Sequence, residues 1–337
     1  MRIVITGASG NIGTALLRRL GSENHELVGV SRRVPPDTQP YHGVEWHRID
    51  LGTDPAAAAL HDVFSGADAV VHLAWLIQPS HDRQALLRTN QGGTRSVIDA
   101  ARRADVAHLV HMSSVGTYAA APGKWVDESW SNAGVATSSY SVDKAACEDM
   151  LDEAEGDLVV SRVRPAFVLQ PAAASEISRY FIGRLVPVPM LRPGLMRFAP
   201  LPRDLAVQFV HADDVADLVS RILVARAPGA FNVASEPSVD RSTWRETFGG
   251  VGPSLPMRAV RAAATLSWRA HLQPTDGGWI DLAASVPLMR TDRARDLGWT
   301  PAHPADQTLR EFVSALSQGR GERGPLLYPR GEKSAAR

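Results

Sequence analysis

Cysteine is close to absent. Cys147 is the one cysteine among 337 residues, so no disulfide can form within the chain and a disulfide-built secreted scaffold is excluded. Net charge is absent as well, with 36 Lys plus Arg against 36 Asp plus Glu. That balance offers no electrostatic footprint for nucleic acid or for an anionic membrane surface. Long hydrophobic runs are also missing: DAVVHLAWLI, over 68–77, is the longest mainly apolar stretch, too short and too polar to span a bilayer. The opening residues MRIVITGASG run straight into a strand-like segment with no signal-peptide core ahead of it. Neither an internal repeat nor a Cys/His cluster with zinc spacing is present. These absences lead to the expectation of a soluble, cytoplasmic protein that takes a small-molecule substrate and engages no nucleic acid, membrane or metal.

What is present is a large apolar fraction, 44%, enough for a sizeable core in one large domain or two ordinary ones. Apolar, β-branched runs alternate with helix-like segments. RIVIT (2–6), ELVGVS (26–31), VEWHRI (44–49), AVVHLA (69–74), HLVHMSS (108–114) and LVVSRVR (158–164) read as strands, with helices expected at 11–20, 54–64, 82–104 and 138–155. That alternation, with near-continuous apolar strands, predicts an α/β fold built on a parallel sheet covered on both faces. After Pro165 the texture changes to the proline-rich PVPMLRPGLMRFAPLPRD, and strand–helix order resumes with AVQFVHADDVADLVSRILVARA and GAFNVAS. The expected organisation is a nucleotide-binding domain over 1–165, rejoined by 206–235. A smaller substrate lobe would comprise 166–205 and 236–318, and 319–337, of linker composition, would be a mobile tail.

ITGASGNIGTALLRRL sets Gly7, Gly10 and Gly13 between the first strand and the first helix. Glycine lets the backbone turn sharply and approach a phosphate, and the helix start directs free N–H groups at it. Alone, such a cluster suits any tight turn. At the first strand–helix junction of a parallel-sheet pattern it reads as a dinucleotide phosphate loop. The second strand ends in Ser31, Arg32 and Arg33, and no carboxylate appears before Asp37. An acid at that point accepts the ribose hydroxyl bonds of NAD, whereas a guanidinium can pair with the 2′-phosphate of NADP. The expected cofactor is therefore NADP, with NAD as the alternative. Further on, TSSYSVDKAA (137–146) places Tyr140 one helical turn before Lys144. Residues four apart share a helix face, and a nearby cation pulls a phenol down from its usual pKa of about 10. A tyrosine tuned in this way can exchange protons near neutrality, although the same spacing is common on solvated helix faces.

The GxxGxxG spacing, taken with Tyr140-x-x-x-Lys144, resembles the short-chain dehydrogenase/reductase superfamily, and further segments resemble its extended branch, the NAD-dependent epimerase/dehydratase family. RIDL (48–51) puts Asp50 at that family's adenine contact, VHLAW (71–75) is similar to its His-Leu-Ala strand end, and TNQGGT (89–94) to its Asn-x-x-Gly-Thr element with Asn90. HMSSVGTY (111–118) resembles its Ser-Ser-x-x-x-Tyr stretch, and RVRPAFVLQP (162–171) its Arg-Pro-x-x-Val-x-Gly-Pro, with Gln170 in place of the glycine. FVHADDVA (209–216) and TDRARDLGWTP (291–301) match later landmarks, so the resemblance spans about residues 1–315.

The resemblance implies a Rossmann-type doubly wound parallel sheet with a smaller C-terminal substrate-binding lobe, and a homodimer. It implies that Ser114 orients the substrate oxygen, that Tyr140 exchanges its proton, and that Lys144 lowers the tyrosine pKa and holds the nicotinamide ribose. Cofactor contacts would come from Gly7, Ser9, Gly10, Asn11, Ile12, Gly13, Arg32, Arg33, Asp50, Leu51, Leu73, Ala74, Asn90, Tyr140, Lys144 and Pro165. Three functions compete: a net NAD(P)-dependent oxidoreductase, a redox-neutral nucleotide-sugar epimerase with retained NAD, and a non-catalytic dinucleotide-binding regulator. Intact Ser114, Tyr140 and Lys144 argue against the regulator, and SSVG, with no acid beside the serine, argues against a dehydratase.

Other residues invite plainer readings. Cys147 is expected as a small buried apolar group, and His108 and His111 as neighbours facing opposite sides of a strand. Asp213 and Asp214 would cap a helix. Arg179, Arg184, Arg192, Arg197 and Arg203 could grip a phosphate or simply solvate the surface. Trp268 and Trp279 are expected to pack the lobe, while Trp75 follows a strand that ends at the site.

Overall fold

A computed structural model describes residues 1–329 apart from 55, 79, 157, 183–194, 196, 199–200, 203–205, 250–253, 274 and 323. Seven strands form one parallel sheet: β1 (Arg2–Thr6), β2 (Glu26–Ser31), β3 (Glu45–Arg48), β4 (Ala69–His72), β5 (His108–Met112), β6 (Val159–Pro165) and β7 (Gly229–Val233). Their order is β7-β6-β5-β4-β1-β2-β3, and every pairing is parallel. This is the Rossmann-type doubly wound sheet. Connections reverse direction between β1 and β4, which opens a crevice at the carboxyl ends of those strands, where ligands of such sheets bind.

Strand residues alternate between two cores, as a period of two requires. Ile3, Ile5, Val71 and Val110 face one core with helices Asn11–Leu20 and Ala212–Ala225. Val4, Val70 and Leu109 face the other with helices Ala56–Phe64, Gly93–Arg103 and Ser139–Asp152. The single helix expected at 82–104 is broken. Arg83–Leu87 runs into a wider turn over Arg88–Gly92 before Gly93–Arg103 resumes regular winding. Such single-turn widenings recur at functional sites, and Asn90 sits inside this one.

Of the remaining described segments, 166–169, 176–181, 275–286 and 325–326 supply residues that line the crevice. Three short parallel pairs join the lobe to itself and to the sheet domain: Phe167–Leu169 with Phe209–His211, Trp125–Val126 with Leu288–Met289, and Leu201–Pro202 with Ser254–Leu255. Asp213 and Asp214 do not cap the Ala212–Ala225 helix. The cap is the ring of His211, whose Nδ1 accepts from the Asp213 N–H at 3.2 Å. Asp213 instead pairs with Arg18 at 2.8 Å, and Asp214 accepts from the backbone of Ala302 and His303. The described residues of 319–329, at the start of the tail read from composition, include several packed against the domain. Leu327 is fully buried, Glu322 pairs with Arg18, and Arg179 donates to the Tyr328 carbonyl at 2.9 Å. Residues 330–337 lie outside the described residues.

Candidate active site

The glycine loop closes by backbone hydrogen bonds. The N–H of Gly7 donates to Val30 O at 2.9 Å and that of Gly10 to Gly7 O at 3.0 Å. The three glycines are glycine for different reasons. Gly7 has φ +71°, and a Cβ there would lie 2.7 Å from Ala74 N. A Cβ on Gly13 would lie 2.4 Å from Gly7 O and 2.5 Å from Ala8 O. Both positions are closed off by the protein's own backbone. At Gly10 a Cβ would meet only Gly7 O, at 3.3 Å, and otherwise open space. The Asn11–Leu20 helix that follows has no side-chain cap at its start, so its first N–H groups are left for a ligand. An uncapped helix start beside an open glycine fits a pyrophosphate. Gln170, where the family has glycine, ties this corner together. Its Nε2 donates to Asn11 O at 2.8 Å and to Asn11 Oδ1 at 2.7 Å, and its Oε1 accepts from Arg18 at 2.8 Å.

Behind the loop lies a chain of buried polar groups. His72 Nδ1 is 2.7 Å from Thr6 Oγ1, its Nε2 is 3.1 Å from Thr94 Oγ1, and Thr94 donates onward to Asn90 O at 2.7 Å. With Thr94 donating to Asn90, His72 carries its proton on Nε2 and accepts from Thr6. Burial, and secondarily the Lys144 charge, push the imidazole down to about 3, so it is neutral. Asn90 is buried, and its amide clamps Leu76 from both sides, accepting from Leu76 N at 2.8 Å and donating to Leu76 O at 3.2 Å. It holds the loop after β4 and does not line the cleft. Cys147, fully buried, contacts Thr94 Oγ1 at 3.6 Å, and burial raises its thiol. His108 bonds Ser161 Oγ at 2.7 Å, and His111 packs 5.2 Å from the His72 ring.

Ser114 follows β5 and Tyr140 opens the Ser139–Asp152 helix, whose cap is the Ser138 side chain. Ser141 links the two segments. Its Oγ donates to Gly116 O and accepts from Val135 N at 2.6 Å. Gly116 lies flat against the tyrosine, since a Cβ there would sit 3.0 Å from Tyr140 Cε1 and 3.3 Å from Ser114 Oγ. The Tyr140 ring reaches the cleft, yet its surroundings desolvate the phenol and push it up to about 12, against a hydrogen bond with Ser114 that pulls it down. The lowering expected from Lys144 is not found. Lys144 Nζ donates to Met112 O at 2.7 Å and lies 3.5 Å from the centre of the Trp75 ring. It is held by a carbonyl and an aromatic face, and burial pulls it down to about 7, against the nearby Cys147, Glu148 and Asp143.

The cleft encloses about 540 Å³ and is lined by Gly7, Ser9, Gly10, Asn11, Ile12, Gly13, Arg32, Arg33, Leu51, Leu73, Ala74, Ser114, Tyr140, Lys144 and Pro165, all expected from the sequence. Arg32 and Arg33 are exposed, and Ser31 Oγ fixes their turn by donating to Arg33 O at 2.7 Å. Asp37 is taken up by His42 at 2.8 Å. Asp50 is exposed, accepts from Gly52 N at 3.0 Å and is outside the lining. Of the arginines considered as phosphate grips, Arg179 is spent on the 326–328 backbone and Arg197 lies over the Phe198 ring. Arg184, Arg192 and Arg203 lie outside the described residues. Trp279 was expected in lobe packing; its ring stands 4.9 Å from that of Tyr140. The approach depends on Gly278, where a Cβ would lie 2.5 Å from Thr137 O. A Gly-Gly pair opening a helix was the one trace of this contact in the sequence.

The doubly wound parallel sheet, with a crevice lined by the glycine loop and by Ser114, Tyr140 and Lys144, defines a class, the Rossmann-type α/β proteins. Within it, the chain belongs to the NAD dependent epimerase/dehydratase family, whose model matches residues 3–234. It is 27% identical over 320 residues to an uncharacterized Mycobacterium tuberculosis protein, covering 94% of this chain and 30% of that one. The chain thus spans about a third of the length of the first curated relatives it matches. Ceramide reductase of Caulobacter vibrioides is 25% identical, over 89% of this chain and 86% of its own. Among solved structures, UDP-glucose 4-epimerase of Thermus thermophilus in complex with NAD superposes with a TM-score of 0.67 at 19% identity, covering 94% of this chain and 99% of that one. The human epimerase family protein SDR39U1 with NADPH gives 0.67 at 18%, with the same coverage.

Proposed function

We propose that the protein is an NAD(P)-dependent oxidoreductase that moves a hydride between nicotinamide C4 and a carbonyl or alcohol, with NADP(H) as the preferred dinucleotide. Residues 1–165 and 206–235 form the dinucleotide half in this reading, and 166–205 with 236–318 the substrate half. One observation carries it: the hydroxyls of Ser114 and Tyr140 adjoin in the same cleft that the open glycine loop lines. When bound, the dinucleotide supplies or accepts the hydride. The phenol, pushed up to about 12, carries its proton at neutral pH and delivers it to the carbonyl oxygen as that oxygen gains charge. Ser114 holds the same oxygen. Lys144 would hold the nicotinamide ribose and, once turned from the Met112 carbonyl, stabilise the phenolate until solvent reprotonates it. Arg32 and Arg33 make no hydrogen bond or ion pair with a described residue through their side chains. They would hold the 2′-phosphate. The similar ceramide reductase is by its name a reductase, which is in keeping with net reduction.

Titration calorimetry with each dinucleotide tests the cofactor. NADPH is expected to bind more tightly than NADH, and Arg32→Asp to reverse the order; tighter NADH binding by the unaltered protein would contradict it. NAD⁺ that survives dialysis, with no net consumption of reduced nicotinamide, would replace this reading by a redox-neutral one.

A further inference from the structure

The catalytic end of the cleft is walled by aromatic rings brought from three distant parts of the chain. Trp279 lies 4.9 Å from the Tyr140 ring with 37° between the planes, and Trp75 meets Tyr140 edge-on at 5.9 Å. Phe181 stands against Trp279 at 5.0 Å and 82°. Leu76 and Ile280 extend this wall. A substrate whose oxygen reaches Tyr140 and Ser114 has to lay the rest of its atoms against these surfaces.

Several polar groups there are already engaged, although Trp75 Nε1 is buried without a partner and Glu176 and Tyr180 also line the cleft. Ser114 Oγ accepts from Gly116 N at 3.0 Å and meets the Tyr140 hydroxyl. Thr275 Oγ1 donates to Phe181 O at 3.2 Å. The Lys144 ammonium is covered by the Trp75 face, and Arg179 is turned to the 326–328 backbone. A hexose would bring several hydroxyls, and a nucleoside diphosphate two charges, to a wall whose described residues beside Tyr140 are mainly aromatic and aliphatic. Polar groups buried without partners weaken binding, whereas apolar carbon gains from contact with such rings.

We infer that the substrate is an apolar ketone, or the matching secondary alcohol, and not a glycosyl nucleotide. The inference rests on the hydride-transfer reading of the same site and specifies its substrate. In the reductive direction the hydride adds to the ketone carbon, the carbonyl π bond breaks, and the oxygen takes the Tyr140 proton to give the alcohol and oxidised dinucleotide. Trp279 sets the specificity, since it is the lobe's contact with the reacting tyrosine.

The test is a binding measurement on the full chain saturated with NADP⁺, titrated with methyl nonyl ketone, progesterone or UDP-glucose and followed by tryptophan fluorescence and calorimetry. At least one ketone is expected to bind saturably and UDP-glucose to give no saturable signal. Trp279→Ala should weaken that ketone about tenfold, the scale of a lost apolar pocket contact, and leave NADP⁺ affinity within about twofold. UDP-glucose binding as tightly as the ketones, no binding of either ketone, or an unchanged ketone affinity in Trp279→Ala would each overturn the inference. Should Trp279→Ala fail to fold, Phe181→Leu serves the same comparison. A protein that binds a ketone but transfers no hydride to it from NADPH would sink the oxidoreductase reading and leave the apolar site standing.

Discussion

Tyr140 and Lys144, one helical turn apart, are driven in opposite directions by the same loss of water. Desolvation disfavours whichever form is charged, so the phenol rises to about 12 and the ammonium falls to about 7. The spacing alone was enough to say that the two side chains share a face. It could not show that Lys144 Nζ is occupied by Met112 O and Trp75, because those partners are remote in sequence and meet it only through β5 and the loop after β4. The shift has a consequence for stability. Between about 7 and the ordinary 10.5 the unfolded chain holds a proton on Lys144 that the folded chain does not, so this group's contribution to stability rises with pH across that window. Below it, both states are protonated and the full penalty of burying the charge remains. Lys144→Met removes the penalty. The variant's stability relative to the unaltered protein should therefore be greatest near pH 6 and decline toward about pH 10, measured by denaturant midpoint without added dinucleotide. A difference that is flat or grows with pH would refute the burial of a charged Lys144.

The first loop and helix show how far an element can be read in advance. Glycines at 7, 10 and 13, placed after an apolar strand, were sufficient to locate the tight turn between β1 and the Asn11–Leu20 helix. Their division of labour was not legible, because it depends on Ala74, reached only through the β1–β4 pairing, and on the carbonyls of Gly7 and Ala8. Gly13→Ala pushes a methyl into backbone and should destabilise the fold by about 1–3 kcal/mol, the usual cost of overpacking. Gly10→Ala points its methyl into the cleft and should fold with little loss of stability while weakening NADPH binding about tenfold or more. Denaturation midpoints and calorimetric affinities separate the two, and a reversed ranking would mean that the loop is assigned the wrong way round. Asn90 teaches the converse. Motif matching placed it among cofactor contacts, yet its amide clamps Leu76 through both Oδ1 and Nδ2, so it positions the cleft wall from behind. Asp50, also placed by motif, stays at the surface.

Across the whole molecule, the dinucleotide half was legible because each strand is a short apolar run and each helix has a period. Residues 166–205 and 236–318 were not, since their proline-rich segments carry neither pattern and the ring that meets Tyr140 from there, Trp279, is remote in sequence. Long-range polar bonds then tie the sheet domain together, and Asn232 carries them across to residues 236–318 by donating its Nδ2 to Arg290 O at 3.0 Å. Arg164 in β6 binds Glu148 at 2.9 Å and Tyr118 at 3.0 Å, and Tyr118 donates to Asn232 of β7 at 2.7 Å. Burial pushes the Glu148 carboxyl up, but Arg164 overrides it and leaves the carboxyl below its usual range. His81, after β4, stacks on Trp268 of the lobe at 4.3 Å. In the proposed function, Tyr140 is the point where a dinucleotide held by one half and a substrate held by the other would meet. The most direct measurement is the affinity for NADPH and the rate of NADPH oxidation, with the ketone that binds best, in the unaltered protein and in Tyr140→Phe. The account predicts NADPH affinity within about twofold and a rate lower by at least about a hundredfold, the scale of a lost general acid. A Tyr140→Phe variant that turns over within about tenfold of the unaltered protein would contradict it.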